Sequence, residues 1–216
     1  MGVLIAIEGI CCSGKTTITQ LLAERLILKG YNAIYNHGAM TYTPVGREFY
    51  EITTNKNFGI TTSFYLIDLI INIQTHIRPL IEENSKNVVL QDRYFDSITT
   101  YANAYGTYFG EDCNIYRIPD VLFKAKIAMN AQLRVFCMPP YDVIKLRMTN
   151  SKDSKVHSFY RNHPDFLQIA YNELLYVAKN TEDGIIVDTS NNDSIENALS
   201  TILLSVDNCQ SSDIIN

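Results

Sequence analysis

The sequence predicts an α/β fold in which a parallel sheet carries helices on both faces. Three observations lead there. Short apolar runs alternate along the chain with longer stretches of helical periodicity, which is the order of strand–helix–strand units. The first run, Val3-Leu4-Ile5-Ala6-Ile7, is continuous rather than alternating and partly β-branched, as a strand buried on both faces must be. The chain has 216 residues, 46% of them hydrophobic, enough for one domain with a substantial core.

The elements follow in order. After the first strand comes a glycine-bearing loop. Thr16 to Leu28 then places apolar residues at Ile18, Leu21, Leu22, Leu26 and Leu28, and Lys29-Gly30 closes the helix with a basic last turn and a terminating glycine. Asn32 to Tyr35 reads as a second strand. Ser63 to Glu83 reads as a long helix ended by the polar run Asn84-Ser85-Lys86-Asn87, and its internal Pro79 removes a backbone donor and predicts a kink. Val88 to Gln91 is a third strand, followed by a helix from Ser97. Leu133 to Cys137 is a fourth strand, stopped by Pro139-Pro140. Asp142 to Met148 and Phe166 to Lys179 read as helices, Ile185 to Val187 as the fifth strand, and Ser194 to about Ser205 as the last helix. Residues 1–206 thus form one domain, and the polar segment 207–216 is expected to fray as a flexible tail.

Composition excludes several classes. Eighteen basic residues against 23 acidic ones give a net charge of −5, so there is no surplus of cations to displace counterions from nucleic acid. No run approaches the ~18 apolar residues of a membrane span. Met1 to Ile7 has no basic segment and Glu8 follows at once, unlike a secretory leader. Five cysteines (Cys11, Cys12, Cys113, Cys137, Cys209) form no C-x-x-C pair, which argues against a zinc site or a disulfide framework and for a reducing, cytoplasmic setting.

Directly after the first strand stands Gly9-Ile10-Cys11-Cys12-Ser13-Gly14-Lys15-Thr16, an unbroken G-x-x-x-x-G-K-T. Its glycines let successive N–H groups converge on a phosphate, and the following helix adds its positive end. Lys15 is placed to reach the β- and γ-phosphates, the Thr16 hydroxyl to ligate Mg²⁺, and Thr17 to touch the α-phosphate. The third strand runs into Asp92-Arg93-Tyr94. An acidic residue at a strand tip beside such a loop can hold Mg²⁺, and the adjacent arginine can fork onto a phosphate. Thr16 and Asp92 are therefore the candidate metal residues.

Together these stretches resemble the thymidylate kinase family of P-loop nucleoside monophosphate kinases. Ile5-Ala6-Ile7-Glu8-Gly9 leading into Ser13-Gly14-Lys15-Thr16-Thr17 is similar to that family's opening. Asp92-Arg93-Tyr94-Phe95-Asp96-Ser97 with Tyr101 is similar to its D-R-Y-x-x-S-x-x-x-Y signature, and Ile186-Val187-Asp188-Thr189-Ser190 to its closing strand and turn. The resemblance implies a three-layer P-loop fold with a five-stranded parallel sheet and a lid at about 149–161. It implies ATP and Mg²⁺ as cofactors, transfer to a deoxynucleoside monophosphate, most plausibly dTMP, and a homodimer packed through the long helix.

Carried over by position, the resemblance gives Gly9, Cys12, Ser13, Gly14, Lys15, Thr16 and Thr17 to the donor phosphates and Arg147 to the adenine. Lys15, Asp92 and Arg93 become the catalytic group, with Arg93 on the acceptor's phosphate. Tyr65 would stack on the acceptor base, Tyr101 would pack against its sugar, and Ser97 is a further substrate residue. Lys152, Lys155 and Arg161 would close over the phosphates from the lid. Tyr65 and Tyr101 fit equally as core aromatics, and Arg147 as a basic residue in a last helical turn.

The departures cluster on the acceptor side. Cys11 stands where the family carries an aspartate that contacts the acceptor's 3′-hydroxyl, and a thiol is a poor hydrogen-bond partner. The family's base-reading helix arginine falls at Leu69, Ile98 replaces a polar residue, and the segment 37–42 lacks the family's R-E-P-G-G loop. Arg47, His37 and Arg78 are candidates for compensation. Three further readings stay open. One is a P-loop kinase of a different nucleotide, another a deoxynucleoside kinase with Glu8 as general base, and the third a nucleotide-binding module without acceptor chemistry.

Overall fold

The structure is a computed structural model and describes residues 1–37, 43, 44, 46–48, 58–110, 118–151 and 155–212. Lys152, Cys113 and most of the segment 37–42 lie outside the described residues, as do the side chains of His37 and Lys155. Among the described residues five strands form one sheet: β1 (Val3–Glu8), β2 (Asn32–His37), β3 (Asn87–Asp92), β4 (Leu133–Cys137) and β5 (Gly184–Val187). All pairs are parallel and the spatial order is β2-β3-β1-β4-β5.

Helices among the described residues include α1 (Lys15–Leu28), α2 (Phe58–Asn72), α3 (Arg78–Glu83), α4 (Phe95–Phe109), α5 (Ile118–Lys124), α6 (Tyr141–Asn150), α7 (Lys155–Asn162), α8 (Pro164–Lys179) and α9 (Asn192–Ser212). The irregularity expected at Pro79 is a π turn at Ile73–Ile77 between α2 and α3. A proline without N–H breaks the ordinary ladder at that place. α5 was not expected from the sequence. The last helix extends past Ser205 to Ser212, because Asp207 accepts from the Tyr31 hydroxyl at 3.1 Å and pairs with Lys29, tying that end to the body.

The two faces of β1 separate the core into layers. Val3, Ile5 and Ile7 pack with Ile18, Leu22 and Leu26 of α1 and with Leu199, Ile202 and Val206 of α9. Leu4 and Ala6 face the other way, onto Leu66, Leu69, Ile73, Ile77 and Ile81. A third cluster joins Ile10 and Phe136 to α6 and α8 through Ile144, Met148, Phe166 and Leu174. β1 therefore has no polar face, as its unbroken apolar run requires. Among the described residues no helix is long and apolar enough to cross a membrane.

This topology positions the site. β1 passes the chain towards β2, while β3 and β4 pass it towards the other edge, so a crevice opens at the carboxyl ends of β1 and β3. Phe136 is fully buried at the centre of the third cluster. Phe136→Ala should cost about 3–5 kcal/mol, read as a lowered midpoint in chemical denaturation with the slope unchanged.

Candidate active site

The loop Gly9–Thr16 leaves β1 and enters α1 with no side chain capping the helix. The first backbone donors of α1 have no partner within the helix, which leaves them to face the loop's interior. Gly14 sits at φ 86, and a Cβ there would lie 2.9 Å from Thr189 Oγ1, so both conformation and space demand glycine. At Gly9 a Cβ would lie 2.3 Å from Ser13 Oγ. The Ser13 hydroxyl is buried and has no hydrogen-bond partner among the described residues. A cradle of amides with an orphaned hydroxyl is what an oxyanion would complete.

Lys15 is 6% exposed and its Nζ donates to the Ile10 carbonyl at 2.8 Å, holding the ammonium across the loop. Burial, then the nearby Arg93 charge, pull its pKa down to about 8, against the opposing charge of Asp92. Asp92 ends β3 and is 2% exposed. Its Oδ2 accepts from the Thr16 hydroxyl at 3.2 Å and the Tyr35 hydroxyl at 3.4 Å. A carboxylate and a hydroxyl brought together are hard oxygen donors of the kind Mg²⁺ takes, so these residues fit that ion.

Arg93 follows at φ 68, in the left-handed region that residues with side chains rarely enter. Its Nη1 donates to the Gly9 carbonyl at 3.2 Å and its guanidinium lies 5.3 Å from the centre of the Tyr101 ring. Tyr101 in turn accepts the Cys11 N–H on its hydroxyl at 2.7 Å. The expected pair Arg93 and Tyr101 is thus brought to the mouth of the loop. Tyr160 of α7 stacks on Tyr101 with centroids 6.0 Å apart, which lays the lid-region helix against the same corner. Arg147 bonds the Cys12, Thr189 and Ser190 carbonyls, with the shortest contact 2.6 Å to Thr189, and so bridges the phosphate loop to the closing turn after β5.

Other expected residues sit elsewhere. Ser97 is 1% exposed, and its hydroxyl is engaged by the Glu8 carboxylate and the Gly9 N–H rather than opening to a substrate. Tyr65 packs partly buried against the cluster beneath α2. Leu69 is fully buried there, so that position faces the core. Its neighbour Asp68 accepts from the Thr43 N–H at 3.0 Å and hydroxyl at 2.8 Å. Arg78 donates to the Lys126 carbonyl at 3.4 Å and Arg47 is exposed, so neither is seen at the loop. Arg161 is half-buried at the end of α7. The Cys12 thiol is pushed up by its hydrogen bond with Cys11 and then by burial, and burial pushes Cys137 up to about 12, so both are protonated and unreactive near neutral pH.

Sequence reasoning missed Tyr35 and Tyr160, whose roles depend on strand and helix neighbours with no motif around them. From sequence alone Glu8 is a candidate general base. The structure places it fully buried against α4, where it accepts backbone N–H groups from Tyr94, Asp96 and Ser97. Burial and then the Asp96 charge push its pKa up to about 7. A carboxylate so enclosed cannot meet a substrate hydroxyl.

Comparison with known proteins gives a consistent result. A family model described as thymidylate kinase matches residues 7–134. The thymidylate kinase of Sulfurihydrogenibium sp. is 31% identical over 182 residues, spanning 80% of this chain and 85% of that protein. A probable thymidylate kinase of Sulfurisphaera tokodaii is 30% identical over 135 residues, 60% of this chain and 66% of its own. The crystal structure of thymidylate kinase from Ehrlichia chaffeensis superposes with a TM-score of 0.67 at 19% identity, covering 94% of this chain and 97% of that one, which is a likeness of fold.

The lowered pKa of Lys15 has a readable sign. The ammonium is present below about 8 and lost above it. Binding of a nucleoside triphosphate, followed by calorimetry, should weaken as pH climbs from roughly 7 to 9. Affinity that stays level over that range would remove Lys15 from the phosphates.

Proposed function

Because the chain belongs to the thymidylate kinase family, we infer that its loop and Asp92–Arg93 turn transfer the γ-phosphoryl group of ATP to thymidine monophosphate, giving ADP and the diphosphate. It is a nucleoside monophosphate kinase. The observation that carries the residue assignments is the convergence of Lys15, the Thr16–Asp92 pair and Arg93 on one uncapped loop.

The loop amides of Gly9 to Thr17, with Lys15, hold the donor's phosphates. Thr16 and Asp92 would hold Mg²⁺, which supplies charge neutralisation on the phosphates when bound. Arg93 takes the acceptor's phosphate beside the loop, and an acceptor oxygen attacks the γ-phosphorus as the bond to ADP breaks. That oxygen is already largely ionised at neutral pH, since a phosphate monoester's second pKa is about 6, so no protein base is required. Catalysis is then positioning and electrostatics. Tyr101 supports Arg93 and borders the acceptor's sugar, and Arg147 closes the donor end by tying the loop to the turn after β5. Lys152, Lys155 and Arg161 are proposed as lid bases, the first two of them outside the described side chains. A homodimer in the cytoplasm completes the reading, with the exposed Ile67 and Ile71 of α2 as the apolar contact.

Glu8 as a base for a nucleoside hydroxyl is not supported, because no part of it is exposed. The test is ADP release coupled to a panel of monophosphates and nucleosides. Turnover is expected with dTMP and not with thymidine. Turnover of nucleosides alone, or ATP binding without any transfer, would overturn the assignment. Lys15→Ala should lower kcat by about 10²–10³-fold, and an unchanged rate would separate Lys15 from the chemistry.

A further inference from the structure

Glu8 is the last residue of β1, fully buried, and faces the start of α4. Its Oε2 accepts the N–H groups of Tyr94 at 3.2 Å and Ser97 at 3.0 Å, together with the Ser97 hydroxyl, and its Oε1 accepts the Asp96 N–H at 3.2 Å. Those three amides come just after Arg93 in the chain. Three of the donors a helix leaves unsatisfied at its start are met by one carboxylate, placed where the helix dipole also favours negative charge. A capping residue usually lies beside its helix in sequence. Here it comes from another strand.

Arg93 pays for this placement in backbone conformation, and the surrounding bonds say what holds it. Its N–H donates to the Ile7 carbonyl at 2.9 Å, on β1 immediately before Glu8. Its carbonyl accepts from Gln91 Nε2 at 2.9 Å. The following amide, Tyr94, goes to Glu8. A left-handed turn at a residue with a side chain persists only when its neighbours over-determine it. The same carboxylate reaches the phosphate loop through Ser97, whose hydroxyl accepts the Gly9 N–H at 3.3 Å. The charged groups around Glu8 are Asp96 of α4 and, through Asp96, Arg134 of β4 at 3.5 Å.

We propose that Glu8 is a positioning residue for phosphoryl transfer, which touches no substrate and acts by clamping the left-handed Arg93 turn so that the guanidinium stands at the loop mouth. The inference rests on the reading above that Arg93 meets the acceptor's phosphate. It predicts that Glu8 and Arg93 are energetically one unit.

A double-mutant cycle tests this, with wild-type turnover of dTMP measured first so that failure of the kinase reading shows before any variant is made. Glu8→Gln keeps an acceptor oxygen for Tyr94 and Ser97 but turns an amide towards Asp96. It should lower kcat/KM for dTMP by about tenfold or more, mostly through KM for dTMP, with KM for ATP changed by less than about twofold. In an Arg93→Ala background the same substitution should change kcat/KM by less than about twofold, since the residue it positions is gone. Equal losses in both backgrounds, or an equal rise in both KM values, would reduce Glu8 to a general structural role and overturn the proposal. Should Glu8→Gln fail to fold, Ser97→Ala carries the same cycle with the carboxylate retained. Non-additivity with Arg93→Ala supports the clamp, and additivity refutes it.

Discussion

The site depends on the pairing of β1 with β3. Their register places Ile7 opposite Asp92, so β1 ends in the phosphate loop at the level where β3 ends in the Asp92–Arg93 turn. Neither strand exposes a face, and a one-residue slip would carry every side chain of β3 to the wrong layer of the core. The hydrophobic effect thus sets the distance between the two polar loops. From that pairing follow the Thr16–Asp92 hydrogen bond and the contact of Arg93 with the Gly9 carbonyl.

The charges around the crevice are arranged in two tiers. Lys15, Asp92 and Arg93 contact the loop, while Glu8 sits with Asp96 and Arg134 against α4. Burial works against the charge on both Lys15 and Glu8, lowering one pKa and raising the other. Glu8 has a compensation, three backbone N–H groups and a hydroxyl, which marks it as architecture next to the chemistry.

Leu69 and Cys11, where the chain departs from the family's pattern, each have a structural setting. Leu69 is not a gap in a binding surface, because it is fully buried and packs with Leu66 and Ile73 beneath the sheet. At the loop, Cys11 offers its main-chain N–H to Tyr101 while the aromatic stack of Tyr101, Tyr160 and Phe166 joins the corner to α7 and α8.

What the sequence determined by itself was local in range. The phosphate loop, the strand before it and the helix after it lie within residues 3–28, and their spacing alone specifies the cradle; the alternation of apolar runs and helical stretches likewise specified the parallel sheet. The Asp92-Arg93-Tyr94 signature was readable for the same reason. Tertiary structure alone decided that Glu8 caps a helix 88 positions away at Asp96 and that Tyr35 reaches Asp92 from the sheet's edge strand. It also decided that Arg147 ties together loops far apart in the chain and that Ser97 turns inward. These outcomes depend on strand order and register, which bring distant residues together through the burial of apolar surface shared by the whole sheet, and no short stretch of residues carries that information.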